Sequence, residues 1–344
     1  MKSFFIYLIL IFTLIFSPSL IIAQEKQISI KSSVSSELWF VNWKSETGLE
    51  ELGIILDYDI KPSTAFGYSI NGQIIRNGTT YSELLLDYIS SKMEENINDE
   101  AFPNSDKNLK TYRKIKSVFN QRFSKNNSLR IILTYATFNG KLSIKNNGEY
   151  FGVPNGTNWD MDSEWFKGDL MWLLLNGDGS GVATLTIGFR YISYNKPAAI
   201  ITFYGYERDN KIEVTSLISA EIENVNIKGK YFTFGMIDNA SAMGNRVNRF
   251  SFSWVAYLGN TGIESSNNTF KPKFSAGIEG EVSINKVFRL KKRLYIIANL
   301  GYRSTYLKAT PGEKIGVDEN GTIYKGLSTY DKWSGPFIRV NIRL

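Results

Sequence analysis

The stretch 335-GPFIRVNIRL-344 closes the sequence. Ile338, Val340, Ile342 and Leu344 are apolar, and Arg339, Asn341 and Arg343 between them are polar. Side chains alternate across a β-strand, so this is a strand with one apolar and one polar face, held to the last residue. Terminal residues ordinarily fray unless something ties them down. Alternation to the end is what a closed sheet requires, because a last strand paired with the first leaves no edge. The stretch therefore predicts a closed antiparallel sheet, whose other strands should carry the same pattern.

The same period recurs upstream. In 181–194 Leu185, Ile187, Phe189 and Tyr191 share one face and Thr184, Thr186, Gly188 and Arg190 the other. In 211–224 Ile212, Val214, Ile218 and Ile222 oppose Glu213, Thr215, Glu221 and Glu223. Phe250, Phe252 and Trp254 recur in 249–258, and in 273–284 Phe274, Ile278, Val282 and Ile284 stand opposite Glu279 and Glu281. Leu294, Ile296, Leu300 and Tyr302 stand opposite Asn299, Gly301 and Arg303. Runs of roughly ten residues exceed a usual globular strand and match what a tilted strand needs to cross a bilayer. Residues 285–292 read as a short connection; 259–271 and 310–332 read as long loops, which puts the short turn and Leu344 on one side. The pattern predicts a closed antiparallel transmembrane β-barrel of about 12 strands, with 10 to 14 compatible.

Composition narrows the chemistry. Cysteine and histidine are both absent, which removes disulfides, thiolate metal sites and the commonest general base. Aromatic residues make up 14% and the net charge is +7, spread along the chain. Such a balance suits acidic head groups and is too diffuse for nucleic acid. The first residues carry Lys2, an apolar run from Phe4 to Phe16, Pro18 and then Ala23 before Gln24. That is the form of a secretory signal over 1–23, cleaved after Ala23, with the barrel filling 24–344.

In the first half, 37-ELWFVNW-43 begins the wall, and the strands around 52–60 and 65–74 are expected to pair. Residues 80–127 read differently. Tyr81, Leu84, Leu85, Tyr88 and Ile89 recur at helical spacing behind a Thr80–Glu83 capping box, and a second pattern runs through Leu109, Tyr112, Phe119 and Phe123. A helical insertion is expected there, with Lys114, Lys116 and other cations on its free faces.

With signal, alternating runs and terminal strand in hand, the chain resembles bacterial outer-membrane β-barrel proteins. Gly335, Ile338, Val340, Ile342 and Leu344 carry the resemblance most specifically; members usually end in an aromatic residue where this chain has Leu344. The resemblance implies outer-membrane lipid as surroundings and the assembly machinery as the reader of the last strand. Enzymes of this architecture generally depend on a histidine, so no catalytic role carries over, and neither a cofactor nor nucleic acid is expected.

The residues facing an expected lumen are Arg190, Glu213, Glu221, Glu223, Glu279, Glu281, Arg303, Arg339 and Arg343. The leading expectation is a porin-like channel for small solutes, whose ion selectivity these residues set in an open lumen. If they pair across it, the barrel is closed and acts as a structural or ligand-binding surface protein through its loops. Glu279 with Glu281, or Glu221 with Glu223, could serve as the paired carboxylates of a glycosidase, against the simpler reading of an ion-pair ladder. Asp160, Asp162 and Glu164 form a weak candidate for Ca²⁺ in an expected loop, and Asn176, Asp178 and Ser180 a Gly-rich turn. The triplets at Asn155 and Asn320 are what an Asn-rich chain yields by composition.

Overall fold

A computed structural model describes residues 28–49, 54–60, 65–76, 79–95, 108–124, 126–146, 157–174, 184–208, 211–237, 249–265, 269–291, 294–319 and 321–343. The signal segment 1–23, Asn155, the turn at 176–180, Asn320 and Leu344 lie outside the described residues. Within them every regular element is a strand. The first eight are β1 (Ile28–Trp39), β2 (Asn42–Leu49), β3 (Ile54–Ile60), β4 (Ala65–Arg76), β5 (Thr79–Glu95), β6 (Asn108–Arg122), β7 (Asn127–Asn146) and β8 (Thr157–Leu174). The rest are β9 (Thr184–Arg208), β10 (Lys211–Ile237), β11 (Arg249–Glu264), β12 (Thr269–Lys291), β13 (Leu294–Ala309), β14 (Gly312–Asp318), β15 (Gly321–Gly326) and β16 (Ser328–Arg343).

Twelve strands form one closed antiparallel wall: β1, β4 to β13 in order, then β16, which pairs back onto β1. Closure matches Val34 with Ile342, Glu37 with Arg339 and Trp39 with Phe337. The alternation at 338–342 thus lies in the closing seam, where no edge remains. The end of the barrel where β1 begins and β16 finishes is its lower end.

The outside is apolar. Phe189 is 64% exposed, Phe250 63%, Phe274 69% and Leu300 59%, and Ile338 and Ile342 sit among them. Such a continuous band suits hydrocarbon rather than water. Among the described residues no helix is long and apolar enough to cross a membrane, and the strands form the wall instead.

Three expectations are corrected. No helical insertion occupies 80–127 among the described residues: β5 and β6 are strands, matched Leu86 to Ser117 and Tyr88 to Ile115. Apolar residues stand on both faces of β5, Leu84, Leu86 and Tyr88 on one and Leu85 and Ile89 on the other. Together they imitate helical spacing. Glu83, read as half of a capping box, accepts instead from Asn71 Nδ2 at 2.8 Å and Gln73 Nε2 at 2.9 Å.

Nor do β3 and β4 pair. β4 lies along β1, whereas β2 and β3 form a hairpin above the wall, β2 on the upper part of β16 (Ser328↔Gly48 to Ser334↔Asn42). The cause is an unequal pair of neighbours. β1 stops at Trp39 while β16 continues upward, and the vacant edge takes β2. Gly335 lies at the changeover: a Cβ there would sit 1.8 Å from the Phe40 carbonyl oxygen.

The expected long loops are mostly strand too. β11 and β12 extend to Glu264 and from Thr269, and β12 runs on to Lys291. The 310–332 segment folds into β14, β15 and the start of β16, and β15 pairs the upper edge of β9 (Gly326↔Ile201), which β8 leaves above Tyr194.

Candidate functional site in the lumen

Alternation sends every second wall residue inward, and at mid-height much of what arrives is charge. At the seam the Glu37 carboxylate, 6% exposed, is shared by two guanidinium groups. Arg303 donates to it from Nη1 at 3.1 Å and Nη2 at 3.3 Å, and Arg339 from Nε at 2.7 Å. Glu281 holds the same cations, with Arg303 Nε at 2.9 Å and Arg339 Nη1 at 3.6 Å. Two carboxylates and two guanidinium groups make a neutral, mutually oriented square. The Arg303 guanidinium also lies 4.8 Å from the Phe337 ring centroid and 5.2 Å from that of Trp39.

A second group ties opposite parts of the wall. Asp169 accepts from Arg190 Nε at 2.6 Å and Nη2 at 3.1 Å. Glu279 Oε2 lies 2.7 Å from Lys167 Nζ and 3.0 Å from Arg190 Nη2. Lys167 is on β8 and Glu279 on β12, with β9, β10 and β11 between them around the wall, so this contact crosses the lumen. On the β5–β6 side Lys114 Nζ reaches Asp87 at 3.8 Å.

Above the charges the lumen fills with rings. Trp165 stacks on Tyr194 at 4.4 Å and meets Trp333 edge-on at 3.9 Å, and Trp43 stacks on Trp333 at 5.2 Å. Over them sits a fully buried cation, Lys196 of β9. Its Nζ donates to Asp331 Oδ2 at 2.6 Å, to Ser45 Oγ at 2.7 Å and to Thr329 Oγ1. Asp331 also accepts from Ser45 Oγ at 2.7 Å, Trp43 Nε1 at 3.1 Å and the Tyr194 hydroxyl. One aspartate thereby joins β2, β9 and β16, and the Ala199 amide adds a bond to Thr47 Oγ1 at 2.9 Å. These bonds form a cap beneath the extended β9–β10 hairpin. Beneath the cap a cavity of about 240 Å³ runs from Trp43 and Trp333 past the charged side chains, which line it, down to Arg130, Met171 and Ile237.

Of the residues expected in the lumen, Arg190, Glu279, Glu281, Arg303 and Arg339 meet in these two groups. Glu213 lies instead on the upper hairpin, bonded to the Tyr206 hydroxyl, whose phenol it raises above its ordinary pKa. Glu221 is exposed and Glu223 partly buried, opposite Ile200 and Ala198. Both lie above the charged layer because β9 and β10 outrun the wall. Arg343 takes the strand position opposite Ser33 and Tyr295. Asp160, Asp162 and Glu164 belong to β8 rather than a loop; Asp162 accepts from Asn139 Nδ2 at 2.8 Å, and the Glu164 amide donates to Asn195 Oδ1. No group of residues suited to a metal ion occurs among the described residues.

Sequence reasoning missed Glu37, Asp87, Lys114, Lys116, Lys167, Asp169, Lys196 and Asp331 as lumen residues. For β8 the signal was present: Trp165, Lys167, Asp169 and Met171 alternate with Phe166, Gly168, Leu170 and Trp172, and the polar members are the inward ones.

A closed twelve-strand antiparallel wall, apolar outside and charged within, defines a β-barrel of the membrane-spanning form. Solved structures similar to this chain are of that form. The Ralstonia pickettii toluene transporter TbuX shares 9% identity, with 91% of this chain and 90% of that one covered and a TM-score of 0.34. The β domain of the Bordetella autotransporter BrkA shares 10%, with 88% and 98% covered and a TM-score of 0.33. The outer membrane protease OmpT of Escherichia coli shares 9%, with 92% and 98% covered and a TM-score of 0.28. No family model and no curated protein matches the chain. Nothing about ligand or activity follows from likenesses of this size.

Proposed function

We propose that this protein is a barrel of the bacterial outer membrane, closed at rest, that serves as a structural or ligand-binding surface protein through its upper end rather than as an open porin-like channel. The observation that carries the reading is the cross-lumen contact of Lys167 and Arg190 with Glu279, lying beneath the Lys196–Asp331 cap. A channel for small solutes needs a continuous wet path, and here charges that would line such a path hold one another instead. The upper surface is built for display: β9 and β10 run to Arg208 and from Lys211, with the β2–β3 and β14–β15 hairpins beside them.

A non-catalytic role is part of the same proposal. It is supported by the engagement of both Glu279 and Glu281 with cations, since a glycosidase acid must hold a proton at rest. Export through the cleaved segment 1–23 and reading of the β16 strand by the assembly machinery complete the proposal. The test is single-channel recording of detergent-folded protein in a planar bilayer. Silence from protein with heat-modifiable gel mobility is expected; discrete unitary steps would overturn the closed reading and restore the porin-like one.

A further inference from the structure

The cavity under the cap does not balance its own charge. Six cationic side chains line it against three carboxylates, Asp169, Glu279 and Glu281. Lys167 and Arg190 are held by Asp169 and Glu279, Arg303 by Glu281 and Glu37, and Lys114 by Asp87. Lys116 and Arg130 remain, with no ion pair among the described residues. They stand on neighbouring strands: Lys116 of β6 lies directly opposite Thr134 of β7, which lies opposite Lys167 of β8. Arg130 stands four residues before Thr134 on the same face of β7.

A second observation points to the same place. Arg130 Nε, Arg190 Nη1 and Thr134 Oγ1 are buried polar atoms with no hydrogen-bond partner, and all three side chains line this cavity. Buried donors without partners are rare enough that each calls for a bonding group. Three at one cavity, two of them on cations beside an unpaired lysine, ask for an acceptor carrying negative charge. The upper cavity wall is aromatic, with Trp39, Tyr112 and Trp165, so a ligand with a flat or apolar body would find contact there.

We infer that the lumen holds a binding site for a small organic oxyanion, a carboxylate or phosphate monoester. Lys116, Arg130 and Thr134 take its charged end, and the tryptophans beneath the cap take its body. Entry is from the lower end, since the cavity extends from the cap toward Arg130 and Ile237. The site stands independently of conductance, because a silent barrel and a conducting one can both hold an anion on this wall.

Intrinsic tryptophan fluorescence of the detergent-folded chain reports on it, with phenyl phosphate, inorganic phosphate and benzyl alcohol as probes at constant ionic strength. Saturable quenching by phenyl phosphate is expected, weaker binding by inorganic phosphate and none by benzyl alcohol. Lys116→Gln and Arg130→Gln should each raise the dissociation constant by at least tenfold, and Lys116→Arg should retain binding. Heat-modifiable mobility checks that each variant is folded; where one glutamine variant is not, the other with Lys116→Arg decides. No saturable quenching in the wild type, an unchanged constant in a folded glutamine variant, or equal binding of benzyl alcohol would each overturn the proposal.

Discussion

The two sides of the lumen solve the same problem differently. On the seam side, β12, β13, β16 and β1 bring Glu37 and Glu281 against Arg303 and Arg339, each carboxylate shared by both guanidinium groups. On the β5–β8 side, Lys114 reaches Asp87 only at 3.8 Å, Asp169 is taken by Arg190 and Lys167 turns across the lumen to Glu279, while Lys116 and Arg130 have no ion pair among the described residues. Arginine offers a planar fork that fits a carboxylate twice, whereas lysine is a point charge on a flexible stem. The seam side is therefore bonded to completion, and the lysine side keeps capacity for something else.

The largest expected effect lies above both. Asp331→Ala would leave Lys196 buried and uncompensated, and breaking a buried pair by removing one partner costs about 3–5 kcal/mol. Urea unfolding in lipid vesicles followed by tryptophan fluorescence should show that loss. The same variant should produce current steps that the wild type lacks. A variant of wild-type stability would show that the cap is an ornament of the upper hairpins and not part of the closure.

Next comes the seam itself. Gly335→Ala places a methyl against the Phe40 carbonyl, where its Cβ would lie 1.8 Å away. Overpacking of this kind costs about 1–3 kcal/mol, and a backbone atom cannot swing aside as a side chain does. The variant should lose stability and show slower recovery of the heat-modifiable form on refolding. Glu281→Gln should do less, about 1 kcal/mol, because Glu37 still holds both Arg303 and Arg339. If Glu281→Gln proved as damaging as Asp331→Ala, the shared square would have to be credited with cooperativity that its geometry alone does not show.

What could be read from sequence follows the same division. The wall was legible wherever one face was apolar and the other polar, as in 338–342 and 185–191, because alternation is a local consequence of the pleat. It was illegible at 84–89, where Leu84, Leu85 and Leu86 put apolar groups on both faces and mimicked a helix. The seam charges Arg303 and Arg339 were visible as inward positions, and so were Glu279 and Glu281. Their partner Glu37 was not, since it stands 266 residues from Arg303 and only the closure of the barrel brings them together. Lys196 and Asp331 were hidden for a different reason. Asp331 fell in a segment read as loop, and the pair forms only because β9 of the long hairpin meets the upper part of β16 over the mouth.

The smallest effect on stability is the one that separates the two sides most cleanly. Lys116 has no ion pair among the described residues, and its ammonium stands near others of the same sign. Lys116→Met keeps the stem's bulk and removes a charge that the wall does not compensate, and replacing poorly compensated buried charge by an apolar group is often neutral or stabilising. Unfolding free energy in ligand-free buffer should thus stay within about 1 kcal/mol of wild type or rise. Arg303→Met, an equally drastic change on the seam side, would leave Glu37 and Glu281 to Arg339 alone and should fall by about 3 kcal/mol. Equal losses at the two positions would mean that Lys116 is as fully bonded as Arg303, and the difference between the two walls would collapse. A tolerant Lys116 beside an intolerant Arg303 would show that closure of the barrel needs only one of its two charged sides.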